Sequence, residues 1–289
     1  MSSQPVDSDS ANSGIVWLAS YPKSGNTWTR AFLSNLAAIM AGEKDPLGVN
    51  SINRFSLGEN FTRFYKEVCG FEPTPADHRR VAENRHRVQQ VIADQFEGLI
   101  FCKTHNALVI DRGHSIINFA VTSGAIYIVR NPLDVAISLA HHLDKSIDDA
   151  ISVMATTDME TPIDQLRVHE VWGSWSQHVD TWTRNPHPAI YVMRYEDMLD
   201  EPNETFLGLA RHLLLNPTES ELTTAIERSS FENLREQEEK EGFQERPKHA
   251  EHFFREGRSG QWKDVLAPHQ VNAITEAHRH QMTRFGYLS

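Results

Sequence analysis

The chain has 289 residues and a formal net charge of −11, with 28 Lys and Arg against 39 Asp and Glu. Hydrophobic residues make up 39% of it, which suits a globular protein with a large core and disfavours a disordered chain. A protein this acidic is not expected to bind nucleic acid, so any anionic ligand must be held by a local group of cations.

The first residues and the number of cysteines indicate the cellular compartment in which we expect the protein. Residues 1–13 are polar and acidic and lack the basic and apolar regions of a signal peptide, so we predict a disordered tail before a domain spanning 14–289. No apolar run approaches the roughly 18 residues of a membrane helix. Cys69 and Cys102 are too few for a disulfide scaffold. We expect a cytoplasmic, reduced protein with no integral membrane segment.

Short apolar runs predict four buried strands. In chain order they cover 15–20, 98–102, 125–129 and 189–194. Between and after them lie helical patterns. Trp28, Phe32, Leu36 and Ile39 form an apolar stripe after the first strand, and further helices are predicted over 132–142, 202–214, 219–228 and 268–284. Alternating buried strands and helices indicate a single α/β domain with a central parallel sheet flanked by helices, followed by a helical extension.

In such a sheet, ligands bind beyond the carboxyl ends of the strands. The turn after the first predicted strand, 21–28, has the composition of an anion cradle: Gly25 permits a tight turn, Lys23 adds a charge and Ser24, Asn26 and Thr27 add donors. It is not a Walker A loop, because Lys23 precedes the glycine. The alternative is a capped helix start with an exposed lysine.

Two other predicted strand ends carry candidate chemistry. Lys103 and His105 follow the second, and a histidine there is a candidate general base, although an ordinary surface or hydrogen-bonded histidine is the alternative. Arg130 ends the third and suits a phosphate, or else pairs with Asp134. From spacing alone, Ser138 is an ordinary helix serine.

The late segment 253–264 holds three cations and two glycines in twelve residues. It is either a basic loop that closes over an anion or a solvated turn. The acidic stretch 236–241 is interpreted as a solvated helix face. No metal is expected, because two pairs of nearby histidines, His141 with His142 and His278 with His280, lack further metal ligands close to them in sequence.

Taken together, these segments resemble the cytosolic-type sulfotransferases that use 3′-phosphoadenosine 5′-phosphosulfate (PAPS). The resemblance spans roughly 15–264 with the family's elements in order, and it implies a P-loop-like sulfotransferase fold. It implies catalytic roles for His105, Lys23 and Lys103. The residues that it implies for PAPS binding are Lys23, Ser24, Gly25, Asn26, Thr27, Trp28, Arg130, Ser138, Tyr195, Ser229, Ser230, Arg255 and Gly257.

The resemblance also implies a reaction. A sulfuryl group would pass from PAPS to a hydroxyl of a small-molecule or lipid acceptor, with His105 taking the proton and Lys23 stabilising the leaving phosphate. Two alternatives remain. One is a nucleotide-dependent phosphotransferase, which the missing Walker A pattern disfavours. The other is a non-catalytic adenosine-3′,5′-bisphosphate-binding protein, which Lys23 and His105 together disfavour.

The sequence departs from the family at several places. Glu256 stands where a lysine is common, Gln261 where an aspartate is usual, and the family's dimerisation pattern is not recognisable, which leaves the oligomeric state open. The aromatic that stacks on adenine is not assigned. The acceptor pocket is expected from the irregular segments 43–75 and 144–170. Their aromatic residues, which favour an apolar alcohol or phenol unless they are ordinary core, include Phe55, Phe61, Phe64, Tyr65 and Phe71.

Overall fold

The structure, a computed structural model, describes residues 14–288, so the predicted tail over 1–13 lies outside the described residues. A five-stranded, fully parallel sheet runs through the domain in the order β2-β3-β1-β6-β7. The predicted fold class, a parallel sheet flanked by helices, is confirmed. Its strands are β1 (Gly14–Ser20), β2 (Ser56–Gly58), β3 (Leu99–Thr104), β6 (Thr122–Val129) and β7 (Ile190–Arg194), beside a small antiparallel pair, β4 (Ile110–Asp111) and β5 (His114–Ser115).

Helices cover both faces of the sheet. In chain order they are α1 (Asn26–Met40), α2 (Ile52–Phe55), α3 (Thr62–Cys69), α4 (His78–Asp94), α5 (Pro132–Leu143), α6 (Ile147–Ala155), α7 (Trp175–Thr183), α8 (Tyr195–Asp200), α9 (Pro202–His212), α10 (Glu219–Arg228), α11 (Phe231–Glu241), α12 (Trp262–Val265) and α13 (Pro268–Arg284), with short 3₁₀ turns at Val49–Ser51 and Phe119–Val121. Among residues 14–288, no helix is long and apolar enough to cross a membrane.

The central strand β1 explains the two cores. All seven of its residues are buried, and their side chains alternate between the faces of the sheet. Ile15 and Trp17 pack with α4, α5 and α7 on one face, whereas Val16 and Leu18 pack with α1, α9 and α10 on the other. An apolar run with no polar alternation is what a strand covered on both faces requires.

Predicted and observed elements differ mainly before the second predicted strand. The segment 43–75, predicted to be irregular, contains α2, α3 and the edge strand β2, which pairs with β3. A three-residue edge strand is too short to give a period in sequence. Strand β3 also runs two residues beyond its predicted end, because Lys103 and Thr104 continue the backbone pairing with Leu18 and Ala19.

The strand order positions the site. Strands β3, β1, β6 and β7 are neighbours and parallel, so the residues that follow Thr104, Ser20, Val129 and Arg194 line one edge of the sheet. These are the four ends at which the sequence placed its candidate residues. Parallel pairing is therefore the reason that segments far apart in the chain meet there.

Candidate active site

A cavity of about 400 Å³ opens at this edge. Most of the residues singled out in the sequence lie on its wall: Lys23, Gly25, Asn26, Thr27, Trp28, Lys103, His105, Arg130, Ser138, Tyr195, Ser230, Arg255 and Gly257. We call the part formed by Lys23, Trp28, Arg130, Tyr195 and 255–257 the loop wall. The part formed by His105, His142, Arg167, Glu170 and Trp172 is the histidine wall.

The turn between β1 and α1 is shaped by Gly25. Its φ of +107° lies in the left-handed region, and a Cβ there would come 2.8 Å from Cδ2 of Tyr195. Helix α1 then begins with no side-chain cap, so its first-turn N–H groups are free to bind an anion. Lys23 itself has a positive φ of 68°.

Not every predicted donor in this turn faces the cavity with its side chain. Asn26 donates its amide nitrogen to the carbonyl oxygen of Leu18 at 2.8 Å, which fastens the turn to β1, whereas its Oδ1 is buried without a partner among residues 14–288. Ser24 is fully buried and is not on the wall. The contacts predicted between these two residues and a nucleotide stay predictions, since Ser24 Oγ and Asn26 Oδ1 are both buried without a hydrogen-bond partner among residues 14–288.

Ser229 is also absent from the wall. Its hydroxyl donates to the carbonyl oxygens of Ala225 (2.8 Å) and Ile226 (3.2 Å) at the end of α10. Its nucleotide contact stays a prediction without support from the lining of the cavity, whereas the neighbouring Ser230 does line it.

His105 is oriented by the backbone around it. Its Nδ1 lies 2.8 Å from the carbonyl oxygen of Ser20, which can only accept, so Nδ1 carries the proton and Nε2 keeps its lone pair. The backbone N–H of His105 is held by Glu170 at 3.3 Å. Burial, and then the charge of Lys103, lower the pKa of His105 to about 3, so the ring is neutral at physiological pH. A neutral imidazole with a free Nε2 can accept a proton.

The two lysines have different surroundings. Nζ of Lys23 lies 4.1 Å from the centre of the Phe253 ring, and no carboxylate of residues 14–288 forms an ion pair with it. Burial first, and then Lys103, Arg130 and Arg255, lower the pKa of Lys23 to about 7. Nζ of Lys103 instead pairs with Glu245 at 3.0 Å, and Glu245 also binds Arg30 at 2.7 Å.

Glu245 was missed in the sequence. It comes from the loop after α11, 142 residues from Lys103, and no motif marks it. Its pKa is held well below the usual range by Lys103 and Arg30 in spite of burial, so it stays ionised and offsets part of the effect of burial, which lowers the pKa of Lys103.

Arg130 is held from three directions. Its guanidinium lies 4.1 Å from the centre of the Tyr195 ring and donates to the carbonyl oxygens of Lys23 (3.1 Å) and Arg258 (3.3 Å). The alternative partner, Asp134, instead accepts from the N–H groups of Gly260 (2.7 Å) and Trp262 (3.0 Å). Asp134 thus ties the late glycine-rich loop to α5, and Arg130 remains available to a ligand.

The late loop, 253–264, comes over the cavity and is not a free solvated turn. Gly257 has a φ of +61° and packs against the Phe231 ring, which leaves no room for a Cβ. Arg255 lies on the wall. The next residue, Glu256, where the family commonly has a lysine, also lies on the wall and pairs with Arg258 at 3.1 Å.

Several buried polar atoms at the cavity have no hydrogen-bond partner among residues 14–288: Ser24 Oγ, Trp28 Nε1, Arg130 Nε and His142 Nδ1. Buried polar groups in native proteins are nearly always satisfied by protein, water or a ligand. Together with the uncapped start of α1 and the cations Lys23, Arg130 and Arg255, these atoms fit a polar, multiply anionic ligand.

The expected aromatic wall for an acceptor is wrong. Phe64, Tyr65 and Phe71 are buried in the main core, and Phe55 stacks on Phe101. None of the five aromatic residues predicted from 43–75 lines the cavity. Of the second expected segment, 144–170, the residues on the wall are Arg167 and Glu170.

A separate cluster has the residue types of a metal site. Ligand atoms of His78, Glu160 and His169 lie within 4.8 Å of one another. The guanidinium of Arg112 already reaches Glu160 at 3.0 Å and His78 at 3.1 Å. The two imidazoles stack at 4.5 Å and 5°, so their in-plane lone pairs do not converge on one ion. The cluster is best described as an ion-pair network.

The cavity at the carboxyl edge of the parallel sheet suits a polar, anionic ligand, and the comparisons identify the family. A family model described as the sulfotransferase domain matches residues 14–286. The chain therefore belongs to the sulfotransferase family.

Among similar proteins is a 3-alpha-hydroxysteroid sulfotransferase of Cavia porcellus, 24% identical over 92% of this chain and 82% of that protein. A flavonol 3-sulfotransferase of Flaveria bidentis is 24% identical over 91% and 80%. Cytosolic sulfotransferase 13 of Arabidopsis thaliana is 31% identical over 50% of this chain and only 46% of its own length.

Solved structures support the fold. A retinol dehydratase in complex with androsterone and the inactive cofactor PAP superposes with a TM-score of 0.64 at 17% identity, covering 93% of this chain and 80% of that one. A mouse sulfotransferase complexed with PAP gives 0.58 at 16% identity, covering 93% and 84%. At these identities the likeness concerns the fold.

Proposed function

We propose that this protein transfers a sulfuryl group from PAPS to a hydroxyl of a small-molecule acceptor. One observation carries the proposal: the amine of Lys23 and the imidazole of His105, 82 positions apart in sequence, lie on the wall of one cavity, with Nε2 of His105 free. Family membership, and the PAP found in two structures of the same fold, support a bisphosphate nucleotide as the donor.

The loop wall suits this donor. The uncapped start of α1 and Lys23 would hold the 5′-phosphosulfate. Arg130 and Arg255, with Ser138, would hold the 3′-phosphate, because a guanidinium binds phosphate through two hydrogen bonds. The unsatisfied Nε of Arg130 supports this assignment.

The aromatic residues on the same wall suit a purine. The rings of Trp28 and Tyr195 lie 5.7 Å apart at 71°, and Phe231 lies on the wall under the glycine-rich loop. We propose Trp28 and Phe231 as the adenine contacts that the sequence did not identify.

The catalytic groups follow from their protonation states. When bound, PAPS supplies the sulfuryl group that is transferred. His105 accepts the hydroxyl proton at Nε2, since its lowered pKa keeps it neutral. Lys23 and Lys103 stabilise the negative charge that grows on the leaving phosphate. An anion next to Lys23 raises its pKa again and so restores its charge.

Neither alternative gains a specific observation from the structure. A phosphotransferase would use the same turn for ATP, and a binding protein would need neither His105 nor its orientation. A cytoplasmic location and a metal-free site stay predictions.

The experiment supplies the protein separately with sulfur-labelled PAPS and with γ-labelled ATP, and a mixture of hydroxylated compounds. We expect label in the acceptors only from PAPS, and a loss of transfer of at least about 100-fold in Lys23→Met, because one such electrostatic group contributes roughly 3–4 kcal/mol. Lys248→Met, on an exposed loop, is the matched control and should keep full activity. Label transfer from ATP alone would overturn the proposal.

A further inference from the structure

The histidine wall is more highly charged than an apolar alcohol requires. Beside His105 and Trp172 it presents Arg167 and Glu170, and Lys103 and Glu245 also lie on the wall of the cavity. We infer that the hydroxylated acceptor carries a carboxylate that pairs with Arg167. This inference rests on the proposed function and adds the class of acceptor to it.

Arg167 is placed by its backbone, which is fastened on both sides. It forms an antiparallel bridge with Phe61, and its N–H donates to Oδ1 of Asp164 at 2.8 Å. Its neighbour Val168 donates to the carbonyl oxygen of Asn60 at 2.8 Å. The side chain therefore leaves a fixed point of the chain and reaches the wall of the cavity.

The guanidinium of Arg167 is unmatched. Of the cations on the wall, Lys103 pairs with Glu245, and Lys23, Arg130 and Arg255 belong to the loop wall. In the described part of the chain, Arg167 has no ion pair or side-chain hydrogen bond, and its one ring contact is Phe61 at 5.8 Å.

Glu170, the carboxylate on the same wall three residues after Arg167, is already used. Its oxygens accept from the N–H of His105 at 3.3 Å and from Nε1 of Trp172 at 3.4 Å. It therefore holds the base in place and leaves Arg167 for an incoming anion. Arg167 is exposed, and its unpaired guanidinium at the cavity can bind a carboxylate through two parallel hydrogen bonds.

The same charge acts on the base. Burial first, then Lys103, and further cations that include Arg167 lower the pKa of His105. A carboxylate that pairs with Arg167 offsets part of this effect, so an acidic acceptor meets a stronger base than a neutral one does. The carboxylates of Glu170 and Glu245 on the wall and the net charge of −11 limit the acceptor to few negative charges and disfavour polyanions.

The test uses a library of hydroxy acids and their primary amides on aromatic, alicyclic and linear skeletons. The full chain is saturated with adenosine 3′,5′-bisphosphate, and bound members are identified by affinity selection and mass spectrometry. Pairs that bind are then assayed for sulfation with PAPS. Each amide keeps the size and hydroxyl of its acid and lacks only the charge.

We expect acids to bind at least about tenfold more tightly than their amides, since a hydrogen bond to a charged group adds roughly that factor. Arg167→Gln should abolish the preference and leave the amides unaffected. Arg63→Gln is the matched control. The guanidinium of Arg63 also lies near the Phe61 ring, 5.2 Å from its centre, but Arg63 is not on the cavity wall.

The outcomes separate the two proposals. Acids that bind no better than amides, a library without any bound acid, or a preference that survives in Arg167→Gln would overturn the inference. Calorimetry of the nucleotide on the same preparations tests the proposed function independently. Failure of the nucleotide to bind would count against the proposed function itself.

Discussion

The two walls of the cavity are built differently. The loop wall comes from contiguous segments at strand ends, in which a glycine, a lysine and a helix start follow one another along the chain. The histidine wall is assembled from single residues, such as Arg167 and Glu170, that have no neighbours of similar role in the sequence. For the proposed function, this difference means that short sequence motifs specify the nucleotide site, whereas acceptor recognition depends on how distant loops pack.

The sharpest test of this division is His105→Ala. It removes the group that accepts the proton and leaves the loop wall intact, so turnover should fall by about 100-fold or more while the affinity for adenosine 3′,5′-bisphosphate stays within about twofold. Steady-state kinetics and calorimetry measure the two quantities. His187→Ala, in an exposed loop, is the control. Unchanged turnover would remove His105 from its role.

The converse test is Arg130→Gln, on the loop wall. The affinity for adenosine 3′,5′-bisphosphate should fall roughly 10- to 150-fold, because a hydrogen bond to a charged group contributes roughly 1.5–3 kcal/mol. Adenosine 5′-phosphate, which lacks the 3′-phosphate, should bind equally to both proteins. Arg258→Gln is the control, since Arg258 contacts Arg130 only through its backbone. Equal losses for both nucleotides would argue against a 3′-phosphate role.

The proposed role of Lys23 concerns both nucleotide binding and transfer, and its protonation state can be measured. Because its pKa is lowered to about 7 without ligand, it is mostly neutral at pH 8, and a bound phosphate raises that pKa. Nucleotide binding should therefore take up about one proton per protein molecule at pH 8 and almost none at pH 5.5, where Lys23 is already protonated. Calorimetry in buffers of different ionisation enthalpy reports the number. Lys23→Arg is charged throughout and should abolish the uptake; persistence in that variant would assign the proton to another group.

The smallest effect is expected at Glu256, a half-exposed residue of the late loop. Both members of its pair with Arg258 are about half exposed, so Glu256→Lys should tighten nucleotide binding only by roughly 1.5- to 5-fold through the local field. The exposed residue Glu276 on α13 supplies the control substitution, Glu276→Lys. Weaker binding by calorimetry would show that Arg258 needs Glu256 to hold the loop.

Much of the loop wall was predictable from the sequence. Gly25, Lys23 and Arg130 stand at the ends of strands whose apolar runs are unmistakable, and local signals such as the Asn131 cap mark where α5 begins. The limits of prediction there concern side-chain direction. Asn26 and Ser229 turn inward to backbone carbonyl groups, and a one-dimensional pattern does not distinguish a hydroxyl that faces a ligand from one that ends a helix.

Apart from His105, which the sequence marks at the end of a strand, the histidine wall was not predictable, for a different reason. Phe64, Tyr65 and Phe71 have the composition of an acceptor pocket, yet burial against α4 and the sheet places them in the core. Glu245 carries no local signal, since its role comes from two cations, Arg30 and Lys103, that reach it from other segments.

By itself, the sequence determined the parallel sheet, the positions at which its strands end and the anion-binding turn, because strand burial, helix capping and glycine conformation are properties of neighbouring residues. Only the tertiary structure decided that Lys23 and His105 share a cavity, that Glu245 holds Lys103, and that Arg167 reaches the wall unpaired. Those relations are Coulombic and steric contacts across long separations in the chain. Folding creates them by bringing parallel strand ends to one edge, and no local pattern encodes them.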